Sequence, residues 1–132
     1  MIKRGKNKLG HADSRFIIII DNLEKVYPGN FIILETHRDK ERQDKLNAMG
    51  KSQVKYPNSK HNKYPSKAVD MIPLESNGDI NWDNRELFTL FAGYALAVSK
   101  MKGYDLRWGG DWNKNGDISD NKFDDLPHFE LE

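Results

Sequence analysis

Three residues of this 132-residue sequence could together hold a metal ion: His61, Asp70 and His128. Two neutral imidazoles and one carboxylate leave a fourth tetrahedral position open. That is the arrangement of a catalytic zinc site, whose metal makes a bound water acidic near neutral pH. Asp70 lies between apolar Val69 and Met71 in a segment that reads as a strand. An acid there either faces solvent or is buried with a partner, and a metal is one such partner. Singly, each residue is weak evidence, because a lone histidine is more often a surface or core residue, as His11 and His37 read. The chain has no cysteine, so a zinc ion would have to be held by histidine and carboxylate ligands, and the redox compartment stays open.

A second stretch offers oxygen ligands at regular spacing. Asp111, Asn113, Asn115, Asp117, Ser119 and Asp120 occupy positions 1, 3, 5, 7, 9 and 10 of a loop with Gly116 at position 6. This is the opening of an EF-hand calcium loop, in which alternating side chains converge and glycine permits the sharp turn. Lys122 stands where position 12 is usually glutamate, so Asp120 or Asp124 would have to substitute. The plainer reading is a polar Asn/Asp/Gly turn.

The elements that must position these residues can be read from periodicity. Met1 to Gly10 is basic and reads as an extended arm. Asp13 or Ser14 caps a helix to about Val26, with Phe16, Ile19, Ile20 and Leu23 at helical spacing. Phe31 to Thr36 reads as a buried strand, Asp39 to Met49 as a short surface helix and 51–67 as a long loop. Ala68 to Pro73 reads as a strand, and Asn77-Gly78 as a hairpin turn leading into Asp79 to Trp82. Asp83 caps the strongest helix, to about Met101, with Phe88, Phe91, Ala92, Ala95, Leu96 and Ser99 on its core face. Leu106 to Trp108 and Pro127 to Leu131 read as closing strands. Short strands mixed with helices point to an α+β fold, and the length suits one domain, 1–132.

Composition bounds the function classes. The chain is 37% hydrophobic and 31% charged, as a globular domain is, with no run long enough to span a membrane. The longest apolar run, Phe16 to Ile20, is too short even for the core of a signal peptide. Residues 1–67 carry 15 Lys/Arg against 7 Asp/Glu, and residues 68–132 carry 6 against 13. The basic half would suit an anionic partner, but it lacks a recognition motif and interleaved aromatics, which argues against a nucleic-acid binder.

The order of motifs resembles a known family. Ser59-Lys60-His61, then Ser66-Lys67-Ala68-Val69-Asp70, then Asp125-Leu126-Pro127-His128 resemble the S-x-H-x-x-G-x-A-x-D and late acid-x-x-H signature, with the usual glycine replaced near Ser66. The signature belongs to the zinc peptidases of the D-alanyl-D-alanine carboxypeptidase and L-alanyl-D-glutamate endopeptidase family. Glu35 to Gln43, Asn77 to Trp82 and Leu106 to Trp112 extend the likeness, the last of them toward the phage endolysin branch. His61 and Asp70 stand two residues further apart than in the signature, which reads as an insertion at Tyr64-Pro65 that still lets the ligands meet.

The resemblance implies a small antiparallel sheet flanked by helices, the D-Ala-D-Ala carboxypeptidase/hedgehog-like fold. It implies zinc on His61, Asp70 and His128, and Asp125 moving a proton from water to the leaving amine. Asp124 is the neighbouring rival. Arg38 would bind a substrate carboxylate or steady the developing oxyanion, with Gln43 and Ser59 on the substrate side as supports. Its alternative is a surface ion pair with Asp39 or Glu41. Calcium on Asp111, Asn113, Asn115, Asp117 and Asp120 would order the chain leading to Asp125 and His128.

The implied partner is the peptidoglycan stem peptide, with no nucleic acid and no membrane anchor, and the implied state is a monomer. The implied setting is phage lysis, with the enzyme made in the host cytoplasm without a signal peptide and released through a holin pore to the cell wall. The bond cut would be L-Ala–D-Glu. The alternatives are a D-alanyl-D-alanine carboxypeptidase and a non-catalytic cell-wall or calcium-binding module on the same fold.

Overall fold

The computed structural model describes residues 5–132. Helix α1, Ser14–Val26, begins where the Asp13 carboxylate accepts from the Arg15 amide, and it buries Phe16, Ile19, Ile20 and Leu23. Strand β1, Phe31–Glu35, follows. Helix α2, Lys40–Ala48, is capped by Asp39 and buries Gln43 and Leu46. Strand β2, Ala68–Pro73, precedes helix α3, Arg85–Met101, which buries Phe88, Phe91, Ala92, Ala95, Val98 and Ser99. Strands β3, Leu106–Gly109, and β4, Asp125–Leu131, close the chain.

The four strands form one antiparallel sheet in the order β1-β2-β4-β3. Its two-residue period separates structure from chemistry. Val69 pairs with Phe129 and Trp108 with Phe129, on the face that packs against α3, where the Phe91 and Phe129 rings meet edge-on at 6.0 Å. The intervening residues point the other way. On that second face Asp70 sits opposite His128 on the two central strands, and Arg107, from edge strand β3, sits opposite Glu130. Burying about 21 apolar side chains in one cluster on the first face stabilises the sheet that carries the second.

The structure departs from the sequence reading at the N-terminal arm and on the approach to α3, and its last strand starts at Asp125 instead of Pro127. Lys6–His11 winds into a 3-10 helix instead of an extended arm. Leu9 is drawn into the core, and the Lys8 ammonium and the Thr36 hydroxyl tie this turn to the end of β1. The first four residues of the expected arm lie outside the described residues. Asn77-Gly78 does make a tight turn, with Gly78 at φ +91°, but no strand follows it. The Asn81 and Asn84 amides instead bind the Glu75 carboxylate and lead the chain into α3. The α3 cap is consequently Asn84, whose side chain accepts from the Leu87 amide, and not Asp83.

Candidate metal centre

His61 is carried by a 3-10 turn, Lys60–Asn62, that the sequence leaves as loop. Ser59 caps this turn by accepting from the His61 amide, while the Asn62 side chain reaches back to the Ser59 amide. Asn62 also donates to the Arg38 carbonyl, and the Arg38 amide donates to the His61 carbonyl, so the turn is bolted to the chain leaving β1. The expected insertion bulges outward at Tyr64, which is 66% exposed, while Ser66 returns the chain through hydrogen bonds to the Thr36 and Ala68 carbonyls. His61 and Asp70 therefore approach each other despite the longer spacing.

His61 Nε2 lies 3.2 Å from Asp70 Oδ1 and 3.2 Å from His128 Nδ1. His128 Nδ1 lies 3.5 Å from Asp70 Oδ1. All three side chains are buried, and their ligand atoms fall within 4.8 Å of one another. Among the described residues no other group of three His, Asp or Glu side chains meets that condition.

The far side of each imidazole decides which nitrogen is available. His61 Nδ1 is 2.6 Å from the Thr36 carbonyl oxygen, which can only accept, so Nδ1 carries the proton and Nε2 offers its lone pair. His128 Nε2 is 2.8 Å from Glu130 Oε1, so the neutral ring keeps its proton on Nε2 and leaves Nδ1 as the nitrogen free for an ion. The donor set of two imidazole nitrogens and a carboxylate oxygen, all aimed inward, fits a zinc ion.

Electrostatics follow from this crowding. Burial raises the Asp70 pKa, but the two histidines outweigh it and hold the carboxyl well below its usual range. Burial lowers the His128 pKa, and hydrogen bonds to Asp70 and Glu130 reverse this, carrying it up to about 9. Burial raises Asp125, and the nearby Asp70 charge raises it further.

Asp125 stands at the start of β4, its Oδ2 3.9 Å from His128 Nδ1 and its side chain 35% exposed. A Cβ on Gly109 would lie 2.1 Å from the Asp125 carbonyl oxygen, so the close approach of β3 to Asp125 requires glycine there. Asp124 turns away and pairs with Arg85 at 3.2 Å.

Arg38 does not pair with Asp39 or Glu41. Its Nε and Nη2 donate to the two oxygens of Glu35 at 3.0 and 3.1 Å, its Nη1 donates to Gln43 at 2.8 Å, and Nη2 lies 3.8 Å from Asp70 Oδ2. Gln43 is fully buried, and its amide nitrogen donates to Ser52 Oγ and the Val54 carbonyl. The Gln43 amide is thus engaged at both ends, and Gln43 is not among the residues lining the groove. The Ser59 hydroxyl, though on the groove wall, is likewise engaged with the His61 amide.

A groove of about 900 Å³ opens over the three ligands, Asp125 and Arg38, with Trp82 and Trp112 on its walls. The Trp112 ring lies 5.4 Å from the His128 ring, and Arg107 covers Trp112 at 5.6 Å.

The Asp111–Asp120 loop is built differently. Asp111 Oδ2 accepts from the Gly116 amide, Asn113 from the Asn115 amide, Asn115 from the Asp117 amide and Asp117 from the Ser119 amide. The Asn113 and Asn115 amides donate to Asp120. Gly116, at φ +80°, makes the turn. Oδ1 of Asp111 is buried with no hydrogen-bond partner among the described residues.

Sequence reasoning passed over Glu35, Thr36, Arg107, Trp112 and Glu130 as contributors to the site. Glu130 carried a signal: it stands two residues beyond His128 in a strand, hence on the same face.

A small four-stranded antiparallel sheet flanked by helices is the D-alanyl-D-alanine carboxypeptidase-like fold, with Asp70 and His128 side by side on its central strands. The L-Ala D-Glu endopeptidase ChiX of Serratia marcescens superimposes with a TM-score of 0.78 over 100% of this chain and 90% of its own, at 22% identity. The L-alanyl-D-glutamate peptidase of Escherichia phage T5 is 33% identical over 125 residues, covering 89% of this chain and 87% of that protein. The sequence model of the phage L-alanyl-D-glutamate peptidases matches residues 1–132, and the chain belongs to that family.

Proposed function

We propose that this chain is a zinc-dependent peptidoglycan hydrolase, a phage endolysin that cleaves the L-alanyl–D-glutamate bond of the stem peptide. The observation that carries the reading is the convergence of His61 Nε2, Asp70 Oδ1 and His128 Nδ1 beneath a groove that also exposes Asp125. Family membership supports the bond. We read 1–132 as one peptidase domain acting as a monomer. No helix among the described residues is long and apolar enough to cross a membrane.

His61, Asp70 and His128 would hold the zinc, which when bound supplies a Lewis acid that activates water and polarises the scissile carbonyl. The chain's own residues do the rest. Asp125 would take a proton at Oδ2 and return it to the leaving amine; its position 3.9 Å from His128 Nδ1 and its raised pKa support this role. Arg38 is a fixed cation on the groove wall. Glu35 and Gln43 hold its plane, so it offers a steady charge near the scissile carbonyl instead of a mobile carboxylate clamp.

We further propose the Asp111–Asp120 loop as a calcium site that uses Asp111, Asn113, Asn115, Asp117 and Asp120. The buried, unpartnered Oδ1 of Asp111 supports this, since such an oxygen is costly without a cation or donor. Asp120 stands in for position 12 in this reading, since it already accepts from Asn113 and Asn115, whereas Asp124 pairs with Arg85.

The test is mass spectrometry of digested peptidoglycan beside a His128→Ala control. Free stem peptides released from intact glycan strands, and lost in the variant, are expected. Loss of a terminal D-alanine alone would make the enzyme a carboxypeptidase, and no mass change with zinc bound would leave a wall-binding module.

A further inference from the structure

The two imidazoles of the centre are oriented by different means. His61 is fixed by a backbone carbonyl, Thr36. His128 is fixed by a side chain, Glu130, which is itself 5% exposed. Glu130 Oε1 faces His128 Nε2 at 2.8 Å, and its Oε2 accepts from Arg107 Nη2 at 2.6 Å. Arg107 comes from β3 directly opposite Glu130 in the sheet register, and its other flank lies over Trp112. Arg107 Nε lies 3.2 Å from Glu132 but out of hydrogen-bond alignment, so the Glu130 contact is the aligned one.

We propose that Glu130, clamped by Arg107, is a positioning residue that makes His128 a metal ligand through Nδ1. The inference rests on the metal reading above and deepens it. A neutral imidazole has one N–H, and its two tautomers are close in energy in solution. A carboxylate against Nε2 admits only the tautomer with the proton there, and so keeps the Nδ1 lone pair aimed at His61 Nε2 and Asp70 Oδ1. Without that acceptor the ring can place its proton on Nδ1, where it would meet the incoming ion, or swing out of line. The strand period explains how the sequence achieves this. Residues 128 and 130 share one face of β4, and the cross-strand partner of 130 also shares it. A carbonyl cannot be removed by substitution, so His128 is the ligand whose orientation can be tested by changing a side chain.

The experiment measures zinc affinity of the full chain by chelator competition, with folding followed by circular dichroism and the ring tautomer of His128 by nitrogen-15 NMR. Glu130→Ala is expected to weaken zinc by about 10- to 100-fold. Glu130→Gln, whose amide oxygen accepts the same hydrogen bond, is expected to recover most of that loss and to keep the proton on Nε2. Arg107→Gln leaves Glu130 in place without its clamp and is expected to weaken zinc several-fold. This variant decides the matter if Glu130→Ala does not fold. Zinc affinities of the folded Glu130→Ala and Arg107→Gln proteins equal to that of the unaltered chain would overturn the inference while leaving the metal reading intact. So would equal loss in Glu130→Ala and Glu130→Gln, since charge and not orientation would then be at work. Failure of the unaltered chain to bind zinc would remove the metal reading and this inference together.

Discussion

Two regions of this molecule offer oxygen and nitrogen ligands at metal-binding spacing, and they are organised in opposite ways. In the His61–Asp70–His128 centre the candidate ligands come from three separate elements, a 3-10 turn, β2 and, 58 residues beyond Asp70, β4. Each ring nitrogen that faces away is engaged by the surrounding protein. In the Asp111–Asp120 loop the ligands are neighbours in sequence, and most of their oxygens are engaged by amides within the loop. The first arrangement builds a site by pointing lone pairs into a shared space. The second builds a turn, leaving one buried oxygen on Asp111 without a partner. Regular spacing is therefore weaker evidence for a site than three separated residues that the fold forces together.

The contrast is broken most directly at the centre. His128→Ala should abolish zinc binding and lower peptidoglycan hydrolysis by about 10³-fold or more, since several kcal/mol of barrier lowering depends on the metal. Asp111→Ala should leave zinc binding intact. Zinc content by elemental analysis and turbidity loss of cell-wall suspensions read both, and equal losses in the two variants would erase the distinction. Next in size is Asp125→Asn, expected to retain zinc but lose about 10²- to 10⁴-fold in rate as proton transfer fails. Loss of zinc in that variant would instead make Asp125 a ligand.

How much of this was readable in the sequence depends on where the information lies. The ligand types and the order of motifs named His61, Asp70, His128 and Asp125, because each must be one of very few residue types. Amphipathic periodicity placed α1 and α3, whose buried faces repeat every three to four residues. What tertiary packing decides was hidden. Lys6–His11 has no helical signature of its own and turns because Leu9 and Lys8 dock on β1. Arg38 reads locally as a partner for Asp39 or Glu41, yet the backbone directs it to Glu35, three residues upstream, and to Gln43. Glu130 and Arg107 are unremarkable acid and base until the β3–β4 register sets them opposite each other.

Arg38 sharpens the comparison from the side of stability. Its pair with Glu35 is largely buried, with side chains 8% and 16% exposed. Arg38→Ala would leave Glu35 with only the exposed Arg42, 3.5 Å away, and the Gln43 oxygen without its donor, a loss of about 3 kcal/mol, seen as a lower midpoint in urea unfolding. The loop pairs, such as Asn113 with Asp120, are exposed, and Asn113→Ala should move the midpoint by less than about 0.5 kcal/mol. A large effect in the loop and none at Arg38 would invert the picture of a rigid centre and a self-contained turn.

The two regions should also differ in pH response. Asp70 and Glu130 hold the His128 pKa up to about 9, so at neutral pH an entering ion must displace a proton from that ring. Protons compete below that value, so apparent zinc affinity should rise with pH about tenfold per unit between pH 6 and 8. The loop ligands are carboxylates and amides, and Asp117 is held below its usual range by the Ser119 hydroxyl and amide, so calcium binding should be flat across the same interval. Isothermal titration in buffers of different ionisation enthalpy counts the protons released. About one is expected for zinc and none for calcium, and proton release on calcium binding would point to a shared histidine site.

The smallest expected effect belongs to the loop itself. If Asp111 Oδ1 is waiting for a cation, calcium at about tenfold over its dissociation constant should stabilise the folded chain by about 1.4 kcal/mol, a rise of a few degrees in melting temperature. Asp111→Asn should abolish that rise. It replaces a charged ligand with an amide whose oxygen can still accept from Gly116, so without calcium it should melt within about a degree of the unaltered protein. The loop runs directly into Asp125 and His128 through Asn121, which donates to the Gly109 carbonyl, and Trp112, which donates to the Phe123 carbonyl. A stiffened loop should accordingly raise hydrolysis of peptidoglycan in zinc-loaded enzyme without changing zinc content. Identical melting with and without calcium would mean that the spacing of Asp111 to Asp120 encodes only a turn, and that the Asp111 oxygen is satisfied by solvent.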